Sequence, residues 1–437
     1  MMLFIAQGVM AQQATVEHKV KKKETLYGIA RDYGVTQEQL AAVNPEMSNP
    51  GYTLKKGDVI KIPVVTNAQQ PAQTGKKNSS ASPAGLQTIN LGVMLPLHDK
   101  SGDGRRMIEY YRGVLMACDS MKTEGISVNV HAWNLPEDGN VNSVLQNNKD
   151  AAKCDIIIGP LYSKFMDAMS SFVNKHDIML VIPFSINAPQ LFNNKHIFQI
   201  YQSPSSLNES TVRRCVDWFK DYHIVIIDCQ DASSTKGDFT SVMRRQLDVD
   251  ERYYNVTSLA TADIDFARAF VADRPNLVVL NSAGQQQLND AFVKLRNLEA
   301  SKPNLNVSMF GYPEWMNYVD KMKQEFHLYS VYIPTYFYFN NKSAVTQRLQ
   351  NKYYANFHQE MQNNLPRYAL TGFDHAVFFL RGLHKYGKSF DGAAGRFSYQ
   401  AVQTPLKFER LGGGGLQNRA YMFVHYKTDR GIETINY

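Results

Sequence analysis

Cysteine is scarce in this sequence: there are four in 437 residues, no two of them at the spacing of a metal knuckle. That excludes a disulfide-built scaffold and a zinc ribbon. No apolar run reaches the roughly 20 residues that a membrane-spanning helix needs. Charge of one sign is not concentrated either. Lys and Arg number 47 against 40 Asp and Glu, an excess of +7, and only Lys19–Lys23 forms a dense basic run, so no nucleic-acid partner is expected. The 11 histidines are scattered, without HExxH or a comparable cluster, so no metal is expected. A G-x-S-x-G elbow and a local Cys–His arrangement are missing as well. Gly412–Gly415 lacks the strand-to-helix setting and the following Lys-Ser/Thr of a phosphate loop. The acidic pair Asp263 and Asp265 falls at a helix start, where capping and the helix dipole account for it. The residues therefore give catalysis little support and imply no cofactor.

What is present is the composition of a folded protein, 44% hydrophobic and 20% charged. At roughly 150 residues per domain, the length suggests about two to four domains. Met1–Ala11 (MMLFIAQGVMA) reads as a signal peptide cleaved after Val9-Met10-Ala11, although its apolar core is short and no Lys or Arg precedes it. A disordered, partly apolar tail is the alternative. With no cysteine at the cleavage point, a lipid anchor is not expected, and the chain is expected in the periplasm or cell envelope. Residues 67–88 (NAQQPAQTGKKNSSASPAGLQT) have almost no apolar mass and read as a flexible linker. A small unit at 16–63 precedes it and a large one at 89–437 follows.

In the small unit, His18-Lys19-Val20 starts a strand and Thr25 caps a helix carrying Leu26, Ile29, Ala30 and Tyr33 at helical spacing. Thr36 with Gln39 forms a capping box for a second helix through Ala42. Leu54–Pro63 then alternates as a strand does. This β-α-α-β order, with Glu24–Ala30 (ETLYGIA), Leu40, Asn44-Pro45 and Leu54–Asp58 (LKKGD), resembles a LysM domain, a module that binds N-acetylglucosamine chains of peptidoglycan or chitin. Lys23-Glu24 stands where that family usually has Gly-Asp. The resemblance implies that Glu24, Thr25 and Leu26 on one loop and Asn44 and Pro45 on another flank the glycan. A LysM fold without sugar binding remains the alternative.

From Ile89 onward, short strands rich in Val, Ile and Leu alternate with helices. The strands are expected at 89–95, 128–133, 156–159, 179–182, 223–228, 277–280 and 307–310. The helices are expected at 107–122, 165–175, 209–222, 263–273 and 285–298. The pattern predicts an open, doubly wound α/β sheet in two lobes. Gly92–Leu97 (GVMLPL), Ile157–Ser163 (IIGPLYS), Leu180–Ser185 (LVIPFS), Phe310-Gly311-Tyr312 and Thr371–Ala376 (TGFDHA) resemble, in order, the bilobed type I periplasmic binding-protein fold of branched-chain amino-acid receptors. Leu95-Pro96-Leu97 with its Gly-containing loop is also similar to LpoA, which activates a peptidoglycan synthase.

In the receptor branch, the resemblance implies a ligand carboxylate held by hydroxyls and helix-start N–H groups. Ser163 and Ser185 would supply these, with Glu314 accepting an ammonium group and Tyr201 and Tyr336 packing on the ligand. Capping explains Ser163, a turn explains Ser185 and solvation explains Glu314 equally well. Asp374 reads as a helix N-cap. Val331–Phe339 (VYIPTYFYF) reads as a buried crossover strand between lobes, with sugar stacking the lesser alternative. Residues 406–435 are expected to form one terminal hairpin around a flexible glycine loop. The four cysteines read as buried free thiols, with a Cys215–Cys229 bridge left open.

The function expected is that of a non-enzymatic, wall-associated protein. LysM would grip peptidoglycan while the bilobed domain senses or scaffolds, with a wall-synthesis protein as partner. The alternative is a solute receptor for an amino acid or small peptide, working with an ABC permease. A linker of about 22 residues reaches about 25 Å on average, which tethers the domain close to the wall and argues against free diffusion to a permease.

Overall fold

A computed structural model of the chain describes residues 15–21, 24, 26, 29–30, 33, 35, 37–48, 52, 54–63, 85–392 and 400–437. The expected signal peptide at 1–11, the caps Thr25 and Thr36, and the expected linker up to residue 84 lie outside the described residues.

The small unit closes on two antiparallel strands, β1 (Thr15–Lys19) and β2 (Val59–Pro63), with Thr15 opposite Pro63 and Lys19 opposite Val59. Helix α1 (Gln37–Val43) and a 3-10 turn (Pro45–Ser48) lie between them in sequence, and Leu26, Ile29 and Ala30 are helical. Val20, Ile29, Ala30, Val35, Leu40, Ile60 and Ile62 form the core. The alternation in β2 buries Ile60 and Ile62 and leaves Val59 and Lys61 outward.

Two seven-stranded sheets follow. The first draws on β3 (Thr88–Leu95), β4 (Ser127–Asn134), β5 (Ile156–Ile158), β6 (Met179–Ile182) and β7 (Ile197–Gln199). The second draws on β8 (His223–Asp228), β9 (Tyr254–Ser258), β10 (Asn276–Leu280), β11 (Val307–Phe310) and β12 (Tyr332–Thr335). Late in the chain, β13 (Phe408–Arg410) and β14 (Leu416–Asn418) return to the first sheet, and β15 (Met422–Tyr426) and β16 (Ile432–Asn436) to the second. The orders are β13-β14-β7-β6-β5-β3-β4 and β16-β15-β12-β11-β10-β8-β9. Strands β5, β6 and β10 are buried at every residue, as parallel strands covered on both faces should be.

The helices are α2 (Gly102–Thr123), α3 (Val141–Asn147), α4 (Met166–His176), α5 (Pro204–Trp218), α6 (Gly237–Val249), α7 (Asp263–Phe266), α8 (Gln285–Ser301), α9 (Val319–Leu328), α10 (Ala344–Phe357) and α11 (Tyr368–Tyr386). The chain divides into two compact units. One holds His98–Val130 and Asn340–Ser389 together with residues up to Asn90; the other holds Leu91–Leu97, His131–Phe339 and Phe390–Tyr437. In the first, a Cβ on Gly113 would strike the carbonyl of Ala369 and one on Gly372 the carbonyl of Tyr110, so these glycines let α2 and α11 pack backbone to backbone.

Several expectations are corrected. The helix expected at 263–273 stops after one turn and a 3-10 turn (Ala267–Ala269), because Phe270 turns to extended backbone. The carbonyls released there are taken by Lys302 Nζ on Ala267 (2.8 Å) and Asn255 Nδ2 on Ala269 (2.9 Å). Asp374 is not the N-cap: it lies inside α11, which Arg367 precedes, and is 1% exposed. Residues 331–339 supply β12, which runs parallel to β11 and antiparallel to β15 within the second sheet. The single terminal hairpin is two, β13–β14 and β15–β16, in different sheets. The glycine loop is packed in part, with Gly414 lying too close to the carbonyls of Leu191 and Phe192 for a side chain. All four cysteines are free and buried, and burial pushes the thiols of Cys118, Cys154 and Cys229 up to about 12.

Candidate functional site

Within the second unit, a cavity of about 410 Å³ opens beyond the carboxyl ends of β7, β8, β11 and β12. Parallel α/β sheets place ligands at such ends. Tyr201 enters just after β7, Lys236 from the loop leading into α6, Glu314 from the turn after β11, and Tyr336 directly after β12. The Tyr201 and Tyr336 rings meet edge to face at 5.4 Å, and Phe184 stacks on Tyr201 at 6.0 Å. Burial pushes the Tyr336 phenol upward, so it stays a neutral hydroxyl.

Lys236 Nζ donates to Glu314 Oε1 at 2.7 Å and lies 5.0 Å from the centre of the Tyr312 ring. The Glu314 side chain is 47% exposed and that of Lys236 24%, so solvent reaches the pair. Deeper in, Gln202 and Thr211 are buried, and Gln202 Nε2 and Thr211 Oγ1 have no hydrogen-bond partner among the described residues. Unpaired buried donors beside an ion pair suit a small polar ligand.

The cavity thus brings together Tyr201, Glu314 and Tyr336, but not the two serines. Ser163 is exposed at the start of a 3-10 turn (Ser163–Phe165) that precedes α4. Ser185 Oγ closes a local turn, accepting from the N–H of Asn187 at 3.2 Å, and it is the neighbouring Ile186 that lines the cavity. Sequence reasoning passed over Gln202, Thr211 and Lys236. Of these only Lys236 carried a signal, standing between a strand and a helix start in Thr235-Lys236-Gly237-Asp238.

In the small unit, Glu24 Oε2 accepts from the N–H of Lys21 (2.7 Å) and pairs with His18 Nε2 (2.8 Å), while His18 Nδ1 lies 2.9 Å from the Tyr33 hydroxyl. The Lys21 N–H, followed by His18, holds the Glu24 carboxyl below the usual range. The Asn44 side chain is occupied inside the fold: Nδ2 donates to the carbonyls of Leu40 (2.8 Å) and Lys61 (2.7 Å), and Oδ1 accepts from the N–H of Lys61 (2.8 Å). Pro45 opens the 3-10 turn and Leu26 is half-buried. The Asn44 amide is therefore spent inside the fold and not free to meet a ligand. Among the described residues, no group of three or more His, Cys, Asp or Glu could hold a metal, and no helix is long and apolar enough to cross a membrane.

Comparison with known proteins fits this architecture. Residues 18–63 match the LysM domain family and residues 140–420 the periplasmic binding protein family. A structure from Rhodospirillum rubrum, described as a branched-chain amino acid ABC transporter, superposes with a TM-score of 0.55 at 14% identity, over 80% of this chain and 100% of that one. Full-length LpoA from Haemophilus influenzae superposes with a TM-score of 0.50 at 14% identity, over 82% of this chain and 60% of that one. At such identity the likeness is one of fold. A human LysM-containing protein is 41% identical over 68 residues, 16% of this chain, and the chain spans only 30% of that relative's length. With residues 140–420, more than half of its length, matched, the chain belongs to the periplasmic binding protein family and carries a LysM domain ahead of that fold.

Proposed function

We propose that this is an exported, non-enzymatic cell-envelope protein that binds peptidoglycan glycan through its LysM domain and uses its α/β domain to sense or to scaffold wall synthesis. The observation that carries the reading is the order of the two folds in one chain, a glycan-binding module ahead of a binding-protein domain. The fold shared with LpoA supports the scaffold role and a wall-synthesis protein as partner. The test is sedimentation of the full chain with purified peptidoglycan. The protein should pellet with the wall and release no soluble fragments; release would favour a hydrolase, and failure to pellet would remove the LysM role.

A second reading rests on the Lys236–Glu314 pair. An amino acid entering the cavity would offer its carboxylate to Lys236 and its ammonium to Glu314, replacing one ion pair by two. The domain would then be a receptor for an amino acid or short peptide. At 100 times its dissociation constant such a ligand stabilises by about 2.7 kcal/mol, so melting curves against amino acids and muropeptides test it.

A further inference from the structure

A second cavity, of about 800 Å³, lies beside α5 in the same unit and has a different character. Six cations line it against four carboxylates, and the two signs are not mixed evenly. The carboxylates of Glu209, Asp217, Asp250 and Glu409 are all on exposed residues, where water screens them. Lys407, Arg419 and Arg252 are half-buried, where each charge acts through less solvent, while Arg213, Arg214 and Lys220 are exposed at the rim.

The inner wall is organised. The Arg419 guanidinium donates to Gln202 Oε1 at 2.8 Å and to Ser206 Oγ at 3.0 Å, with Glu409 no nearer than 3.9 Å. Arg252 is occupied by the carbonyls of Val216, Phe219 and Tyr222 at the end of α5. Lys407 and Arg213 have no side-chain partner among the described residues. Gln202, only 3% exposed, also lines this cavity and leaves Nε2 without a partner among the described residues. On the far side Arg214 stands 5.4 Å over the Tyr437 ring, which in turn stacks on Tyr421 at 5.3 Å. A buried donor without an acceptor, next to cations without counter-ions, is a site short of negative charge.

We propose that this cavity binds a ligand bearing at least two oxyanion groups, carboxylate or phosphate, held by Lys407, Arg213 and Arg419. Arg419 keeps Nη1 on Gln202 and Ser206 and offers its remaining N–H groups, as guanidinium groups do to such anions. Lys407, Arg213 and Arg419 line only this cavity, and Gln202 alone is shared with the first.

Calorimetric titration of the full chain with inorganic pyrophosphate and, separately, with citrate at about 150 mM salt tests it. At least one probe should bind saturably, one per chain, and the probe preferred identifies phosphate or carboxylate as the native group. The double substitution Lys407→Gln with Arg213→Gln removes two side chains that hold nothing else, so it should leave the fold intact and weaken binding at least about tenfold. Arg419→Gln should weaken it too, and an unchanged melting curve would show that this is not unfolding. Saturation by neither probe at millimolar concentration, or equal affinity in the double variant, overturns the proposal.

Discussion

Lys236 and Glu314, 78 residues apart in sequence, meet at 2.7 Å in the mouth of the cavity beyond the parallel strands. The partners come from loops after β8 and β11, so the pair exists only because the second sheet brings those strand ends together.

Being partly solvated, this pair should add under about 1 kcal/mol to stability. Lys236→Met and Glu314→Gln are therefore expected to melt almost as the parent does. Each should abolish any melting shift produced by an amino acid or peptide in the cavity. A shift that survives both substitutions would place the ligand elsewhere.

Asn44 should matter for folding rather than for sugar contact. Asn44→Ala leaves the N–H and carbonyl of Lys61 unpaired next to the LysM core, at a cost of about 2 kcal/mol or more. Hydrogen exchange in the full chain should show protection lost over Val59–Pro63 and kept in β8 and β10. Unchanged protection at β2 would contradict the role given to this amide.

Glu109 in α2 is fully buried, and desolvation pushes its carboxyl up to about 7 against the opposing effects of the Gln362 N–H, Arg367 and Arg112. Since it binds its proton more tightly folded than unfolded, its contribution to stability is complete below about pH 4.5 and is lost as pH rises through about 7. Glu109→Gln keeps an acceptor for Gln362. The variant should match the parent near pH 5 and exceed it near pH 8 by up to about 3 kcal/mol. Denaturant midpoints measured across that range check this, and a gap that does not change with pH would refute it.

Gly372 is set by the close approach of α11 to α2. Gly372→Val is expected to cost about 1–3 kcal/mol through overpacking against the Tyr110 carbonyl, read as a lower unfolding midpoint. A neutral result would mean that the helices separate easily.

Much of the fold was legible because its signals are local. Strands β6, β8 and β11 fall at the expected 179–182, 223–228 and 307–310, where branched and apolar residues dominate. Strand β9 (YNVTS) escaped because its side chains are half-exposed and form no apolar run. Asp374 has the residue type of a cap, and only the packing of α11 shows that it is interior. The site was half legible. Tyr201, Glu314 and Tyr336 stand just after strands, and the resemblance to the receptor family is what pointed to them. Gln202 and Thr211 look like any polar residues near the start of a helix, and their unpaired atoms appear only once the surrounding walls are built. The same holds for Asn44, whose place in the LysM pattern says nothing of the three hydrogen bonds that bury its amide.

Competition distinguishes a wall-bound protein that grips glycan through LysM from one held there by another part of the chain. The full chain is sedimented with peptidoglycan in the presence of N-acetylglucosamine oligosaccharides of increasing length. Longer oligosaccharides should release the protein into the supernatant while free amino acids do not. Retention unaffected by any oligosaccharide would contradict the grip through LysM and assign the wall association to another part of the chain.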